Sequence, residues 1–120
     1  MPARNNSIRD HLPRSREIKI TVIGRKSGRT ISIPVWFVLE DTKLYLLPVQ
    51  GSDTQWYKNV LQNPSIRIRA GSTEAEFTVV PVSEAKQVST VVDKFRHKYG
   101  ASDVKKYYSK LDVAAFVLLS

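Results

Sequence analysis

The densest group of chemically capable side chains is the hexapeptide Gly24-Arg25-Lys26-Ser27-Gly28-Arg29. Its two glycines allow a tight turn that exposes backbone N–H groups. The adjacent cations Arg25 and Lys26 and the Ser27 hydroxyl add further donors. Charge-assisted hydrogen bonds combined with convergent backbone donors are what a phosphate group requires. The spacing is not that of the P-loop, G-x-x-x-x-G-K-[ST]. A solvated basic hairpin turn accounts for the same composition, so these residues alone leave both readings open.

A second group is Trp56-Tyr57-Lys58-Asn59, at the start of a short helical segment. Large aromatics can pack on a planar ring system, and a helix N-terminus adds backbone donors. The same two rings could equally anchor the helix on a sheet. A third group is Tyr99, Tyr107 and Tyr108, whose hydroxyls could donate to a substrate or whose rings could fill a helix–sheet junction. His11 and His97 are the only histidines and there is no cysteine. Thiol nucleophiles, thiolate zinc sites and iron–sulfur clusters are thereby excluded, and a histidine metal cluster is not expected. If the chain is an enzyme, a bound cofactor carries the chemistry and the protein supplies binding and orientation.

Lysine and arginine number 19 against 11 aspartates and glutamates, a net charge of +8. That balance predicts an anionic partner: nucleic acid, acidic lipid or a phosphate-bearing small molecule. Single-strand-binding barrels stack bases on aromatics along exposed strand faces. Here Phe37 and Phe77 follow the apolar phase of their strands and only Trp36 breaks it, so nucleic acid is not the expected partner. No run approaches the roughly 20 apolar residues of a membrane span. Residues 1–16 carry Arg4, Arg9, Arg14 and Arg16 with no apolar core of the signal-peptide kind, and read as a flexible basic arm. The expected location is cytoplasmic.

The elements that must position these groups follow from periodicity. Residues 17–23 and 30–39 alternate apolar and polar, and 43–48 makes a third strand after a turn. Residues 53–62 read as a short helix capped by Ser52 or Asp53, with Trp56, Tyr57, Val60 and Leu61 at helical spacing; Pro64 ends it. Residues 65–70 and 73–80 form a hairpin about Gly71-Ser72, in a register that sets Arg69 opposite Glu74 and Arg67 opposite Glu76. Ser83 is the expected cap of a second helix, 83–99, with Val88, Val91, Val92, Phe95 and Tyr99 on one face and Gly100 at its end. Residues 102–110 are compatible with a further helical turn. The apolar run 112–119 reads as a buried last strand. Six strands with inserted helices predict a mainly β fold, a six-stranded antiparallel sheet closed into a small barrel over residues 17–120.

The run from Ile20 through Gly24-Arg25-Lys26-Ser27-Gly28-Arg29, then Pro34, Trp56-Tyr57-Lys58-Asn59-Val60 and Asn63-Pro64-Ser65-Ile66, resembles the deazaflavin-dependent nitroreductase family. The order and spacing match over about residues 17–68. That family belongs to the split β-barrel flavin-binding group. The resemblance implies binding of the deazaflavin F420, with FMN as the alternative, and hydride transfer to or from a small organic substrate. It implies that Arg25, Lys26 and Ser27, in the turn closed by Gly28 and Arg29, hold the cofactor phosphate. Pro48, Val49, Gln50 and Gly51 would lie along the ring system, with Gln55, Trp56, Tyr57 and Asn59 flanking the cofactor. Tyr99 and Tyr107 would face the substrate. A homodimer is compatible with the group, whose members often hold the cofactor at a subunit seam. The chain departs from the pattern at Ile31, where many members are basic, and at Gln50-Gly51-Ser52, where many have a lysine and two glycines.

Overall fold

A computed structural model describes residue 8 and residues 11–119 of the chain. The alternation of Ile18, Ile20 and Val22 buries one face of strand β1 (Ile18–Ile23). Strand β2 (Thr30–Val35) returns antiparallel to it across the 24–29 turn, with Ile23 opposite Thr30. Strands β3 (Phe37–Glu40) and β4 (Lys43–Leu46) form a second hairpin. Strands β5 (Ser65–Ala70), β6 (Thr73–Val82) and β7 (Ala114–Leu118) complete an antiparallel sheet of order β2-β1-β5-β6-β7-β4-β3. Strand β6 pairs with β5 as far as Thr78 and with β7 from Val79 onward. One long strand therefore carries the sheet around a corner, and the two edge strands, β2 and β3, are consecutive in sequence.

The sheet has seven strands, not the six expected, because the predicted strand 30–39 is two. A single straight strand cannot pair with β1 at one edge and β4 at the other. The chain crosses between the edges at Trp36, and the inward–outward phase shifts there: Phe37 and Val38 are both buried. Phe37 enters the barrel core with Ile20, Leu44, Ile68 and Val117. Val38 faces a second core beneath the helices, with Val82, Val92, Phe95 and Tyr108. Strand β7 is likewise covered on both faces, Ala115 and Val117 in the first core and Ala114 in the second. Covering both faces is why 113–119 is apolar throughout.

The hairpin register Arg69–Glu74 and Arg67–Glu76 is as expected. Arg67 reaches Glu76 at 3.9 Å, an exposed pair of little energetic weight. Helix α1 spans Gln55–Gln62, preceded by a 3-10 turn at Gly51–Asp53. Its cap position is Thr54 rather than Ser52 or Asp53, and the Thr54 hydroxyl instead accepts from the Gln50 amide at 2.8 Å. Leu61, expected on the buried face, is 53% exposed; Asn59 is buried in its stead. Helix α2 (Ala85–Tyr99) is capped by Glu84, whose carboxylate accepts from the Gln87 amide, rather than by Ser83. A carboxylate at that position also meets the positive end of the helix dipole. All five expected stripe residues from Val88 to Tyr99 are buried. Helix α3 (Ala101–Tyr107) follows directly.

The segment read as a flexible arm places Ile8 and Leu12 in the barrel core, the latter from a 3-10 turn at Leu12–Arg14. Arg4 and Arg9 lie outside the described residues.

Tyr99 fastens the place where the sheet edges meet. Its hydroxyl accepts from the Phe37 amide at 3.1 Å and lies 2.7 Å from the Arg16 carbonyl and 2.9 Å from that of Phe37. Beside it, the Lys98 ammonium donates to the Phe37 carbonyl at 2.7 Å and sits 3.7 Å from the Phe37 ring centre. Burial, then the Arg16 charge, lower the Lys98 pKa from 10.5 to about 8. As pH rises through 8 the folded protein releases this proton while the unfolded chain still holds it. The unfolded state then binds more protons, so stability rises between about pH 8 and 10. Water reaches this exposed residue, which keeps the gain below about 1 kcal/mol. Above pH 10 the buried, neutral Tyr99 and Tyr108, both shifted upward by desolvation, oppose it. Denaturant midpoints measured across pH 7–10 should rise in the parent chain and stay flat in Lys98→Met.

Candidate functional site

The sharp turn between β1 and β2 is closed by two backbone hydrogen bonds, Gly24 N–H to Arg29 O at 2.8 Å and Gly28 N–H to Gly24 O at 2.9 Å. Gly28 has φ +74, a conformation side-chain-bearing residues rarely adopt. Lys26, Ser27, Gly28 and Arg29 are exposed on this turn, and the Ser27 hydroxyl accepts from the Arg29 amide at 3.2 Å.

Arg25 is turned against helix α1. Its guanidinium donates to Asn59 Oδ1 at 2.8 Å and to Gln55 Oε1 at 2.9 Å, and its amide donates to Asn59 Oδ1 at 3.1 Å. The structure thus joins Arg25, Gln55 and Asn59, residues 30 and more apart in sequence, into one cluster. Both acceptors are neutral amides. Arg25 is held in place without its charge being cancelled, unlike Arg67 with Glu76. Among the described residues neither Arg25 nor Lys26 has a carboxylate within ion-pair distance.

Gln55 also belongs to the wall of a cleft of about 420 Å³. Ile33, Pro34 and Val35 of β2, Val49 and Thr54 of the loop after β4, and Tyr107 and Tyr108 line it, together with Trp36 and the buried Trp56. The volume falls in the ordinary range for small-molecule and cofactor sites. Glu17 is its one carboxylate. Trp36 stacks on Tyr99 with ring centres 4.2 Å apart and planes 8° from parallel, and Tyr107 meets it edge-on at 5.6 Å. The Arg16 guanidinium lies 5.7 Å from the Trp36 ring centre.

Of the residues singled out from the sequence for a site, Val49, Gln55, Trp56, Tyr107 and Tyr108 line this cleft. Trp56 and Tyr57 are buried in the barrel core, so both rings anchor α1; desolvation, then Asp112, raise the Tyr57 pKa. Pro48 and Gly51 are buried within the loop that follows β4, and Gln50 is exposed on it. Tyr99 stands behind Trp36 rather than on the cleft wall, its hydroxyl engaged by main-chain groups. Trp36, which sequence pattern does not assign to the site, also lines the cleft. It is the one aromatic that breaks strand alternation, but periodicity does not say what such a residue faces. Among the described residues no group of three His, Asp or Glu could hold a metal, and no helix is long and apolar enough to cross a membrane.

Solved structures of similar shape extend over nearly the whole chain. An F420-H2-dependent reductase, FDR-A, is 21% identical, with a TM-score of 0.66 over 85% of this chain and 93% of its own. The heme storage protein HutZ from Vibrio cholerae is 12% identical, with a TM-score of 0.71 over 94% and 87%. A proposed pyridoxamine 5'-phosphate oxidase from Listeria innocua is 11% identical, with a TM-score of 0.70 over 95% and 91%. At these identities the likeness shows the fold alone, a curled antiparallel sheet with inserted helices, with which the expected split barrel is consistent. No curated protein matches the chain. The family model that matches spans residues 10–117, and the chain belongs to that family, DUF2255, described as uncharacterized proteins conserved in bacteria.

Proposed function

We propose that the protein is an oxidoreductase that binds a deazaflavin or flavin, F420 in the first instance, with its phosphate at the Arg25-Lys26 turn and its ring system in the adjoining cleft. The observation that carries this reading is the continuity of the two features through Gln55, which bonds Arg25 and also lines the cleft. A cation tethered by neutral amides keeps its field for an incoming anion. An apolar cleft walled by Trp36, Trp56, Tyr107 and Tyr108 suits a flat heterocycle. The bound ring would donate a hydride to, or accept one from, a small organic substrate. The chain's part is to hold the phosphate at Arg25, Lys26, Ser27, Gly28 and Arg29, to set the ring against Val49 and Trp56, and to exclude water with Tyr107. Tyr99 enters as the support beneath Trp36.

F420 stands first because its polyanionic tail suits a chain of charge +8. FMN is the second reading, favoured by the exposed apolar Ile31, whose side chain lies beside Gly24 at the turn. The exposed apolar residues of edge strand β2 also suit a homodimer. Calorimetric titration with F420 and with FMN, each at low and high salt, tests the assignment. Expected is saturable 1:1 binding of F420 that weakens with salt, since exposed charges are screened beyond about 10 Å at 0.1 M. Binding of FMN alone would replace the cofactor; binding of neither would remove the function.

A further inference from the structure

The cleft has two walls of irregular backbone or short helix, the loop 47–54 and the tail of α3, and both are fastened by the segment that follows α3. Ser109 donates its amide to the Val49 carbonyl at 2.8 Å, and its hydroxyl does so at 3.3 Å. Gln50 and Lys110 form an isolated parallel bridge. Asp112 accepts from the Ser52 amide at 2.9 Å and from the Ser52 hydroxyl at 2.6 Å. The Lys110 ammonium reaches Asp53 at 3.2 Å and Asp112 at 3.7 Å. Each residue of the loop from Val49 to Asp53 except Gly51 thus has a partner in 109–112, and Gly51 shows why it is glycine. Its φ is +56, and a Cβ there would run into the Asp112 carboxylate and lie 3.0 Å from the Lys110 carbonyl.

From this arrangement we infer that Asp112, through its double hydrogen bond to Ser52, is a positioning residue that locks the Val49–Thr54 wall of the cleft to the Tyr107–Tyr108 wall. It touches neither the cleft nor any reacting atom. Its action is to remove the relative motion of two segments that have little regular structure of their own, the kind that open locally at low cost. Val49 is the residue through which the effect reaches the cleft, since its carbonyl is bonded to Ser109 and its side chain lines the site. The Ser52 hydrogen bond also holds the Asp112 carboxyl below its usual range, so the lock is made by the ionised form at neutral pH.

The role in cofactor binding rests on the proposed function; the lock itself does not. The chain's two tryptophans, Trp36 and Trp56, both line the cleft, so their fluorescence reports on it with no cofactor present. Acrylamide quenching should rise about twofold in Asp112→Ala, measured well below its melting temperature, as the walls separate. Ser52→Ala should give a smaller rise. Asp112→Asn, which keeps an acceptor for the Ser52 amide, should recover most of the parental value. F420 or FMN affinity should fall about tenfold in Asp112→Ala. Unchanged quenching in a folded Asp112→Ala or, where that variant does not fold, in Ser52→Ala overturns the lock. Increased quenching in a chain whose parent binds neither cofactor upholds the lock and removes only the functional assignment.

Discussion

Replacing Arg25 and Lys26 together by alanine should weaken binding of F420 and of FMN by at least about tenfold, because each charge-assisted hydrogen bond to a phosphate is worth roughly 1.5–3 kcal/mol. The single variants separate two roles. Lys26 is exposed and has no protein partner among its described neighbours, so Lys26→Ala should lower affinity and leave the melting temperature alone. Arg25 also pins helix α1 through Gln55 and the buried Asn59. Arg25→Ala should therefore lower both affinity and melting temperature. Asn59 keeps one partner, the Arg25 amide, which limits the stability loss to the order of 1 kcal/mol. Calorimetry with both cofactors, beside thermal melts of each apo-variant, reads the two effects apart. Parental affinity for both cofactors in the double variant would withdraw the turn as the anion site.

The largest expected effect on stability lies at Tyr99. Truncation to alanine removes a buried ring stacked on Trp36 and packed on Phe95, and such losses in a core cost about 3–5 kcal/mol. Tyr99→Phe keeps the ring and removes only the oxygen. The Phe37 amide then has no partner at a fully buried residue, a cost of roughly 1–3 kcal/mol. The carbonyls suffer less, since that of Phe37 retains the Lys98 ammonium. Because this hydroxyl joins Arg16, two residues ahead of β1, to the start of β3, its loss should also raise amide exchange at Phe37 ahead of global unfolding. Urea midpoints and hydrogen exchange of the two variants check this. A Tyr99→Phe chain as stable as the parent would mean the hydroxyl contributes nothing to closing the sheet.

Much of this molecule can be read from local pattern. Period-two alternation marks β1, β5 and the start of β6, and the hairpin register of Arg67 and Arg69 follows from the spacing around Gly71-Ser72. The helical stripe from Val88 to Tyr99 is buried as its spacing requires. These features are legible because each depends on neighbours a few residues away. The break at Trp36 is different. The run 30–39 has a good strand pattern throughout, and it becomes two strands only because β1 and β4 stand at opposite edges of a closing sheet. The caps differ from those local pattern predicts for a related reason. Ser52 is spent on Asp112 and Thr54 on the Gln50 amide, and competition for a hydroxyl is settled by what else lies within reach.

For the candidate site, the sequence by itself determined which side chains could meet an anion, since two cations and two glycines in one hexapeptide carry that chemistry wherever they lie. Tertiary structure alone decided that Arg25 reaches Gln55 and Asn59, that Trp36 faces a cleft while Tyr99 stands behind it, and that Asp112 closes on Ser52. Each of these joins segments separated by 30 to more than 60 residues. No local periodicity encodes such distances; they follow from how the sheet curls and from which buried polar groups must find a partner.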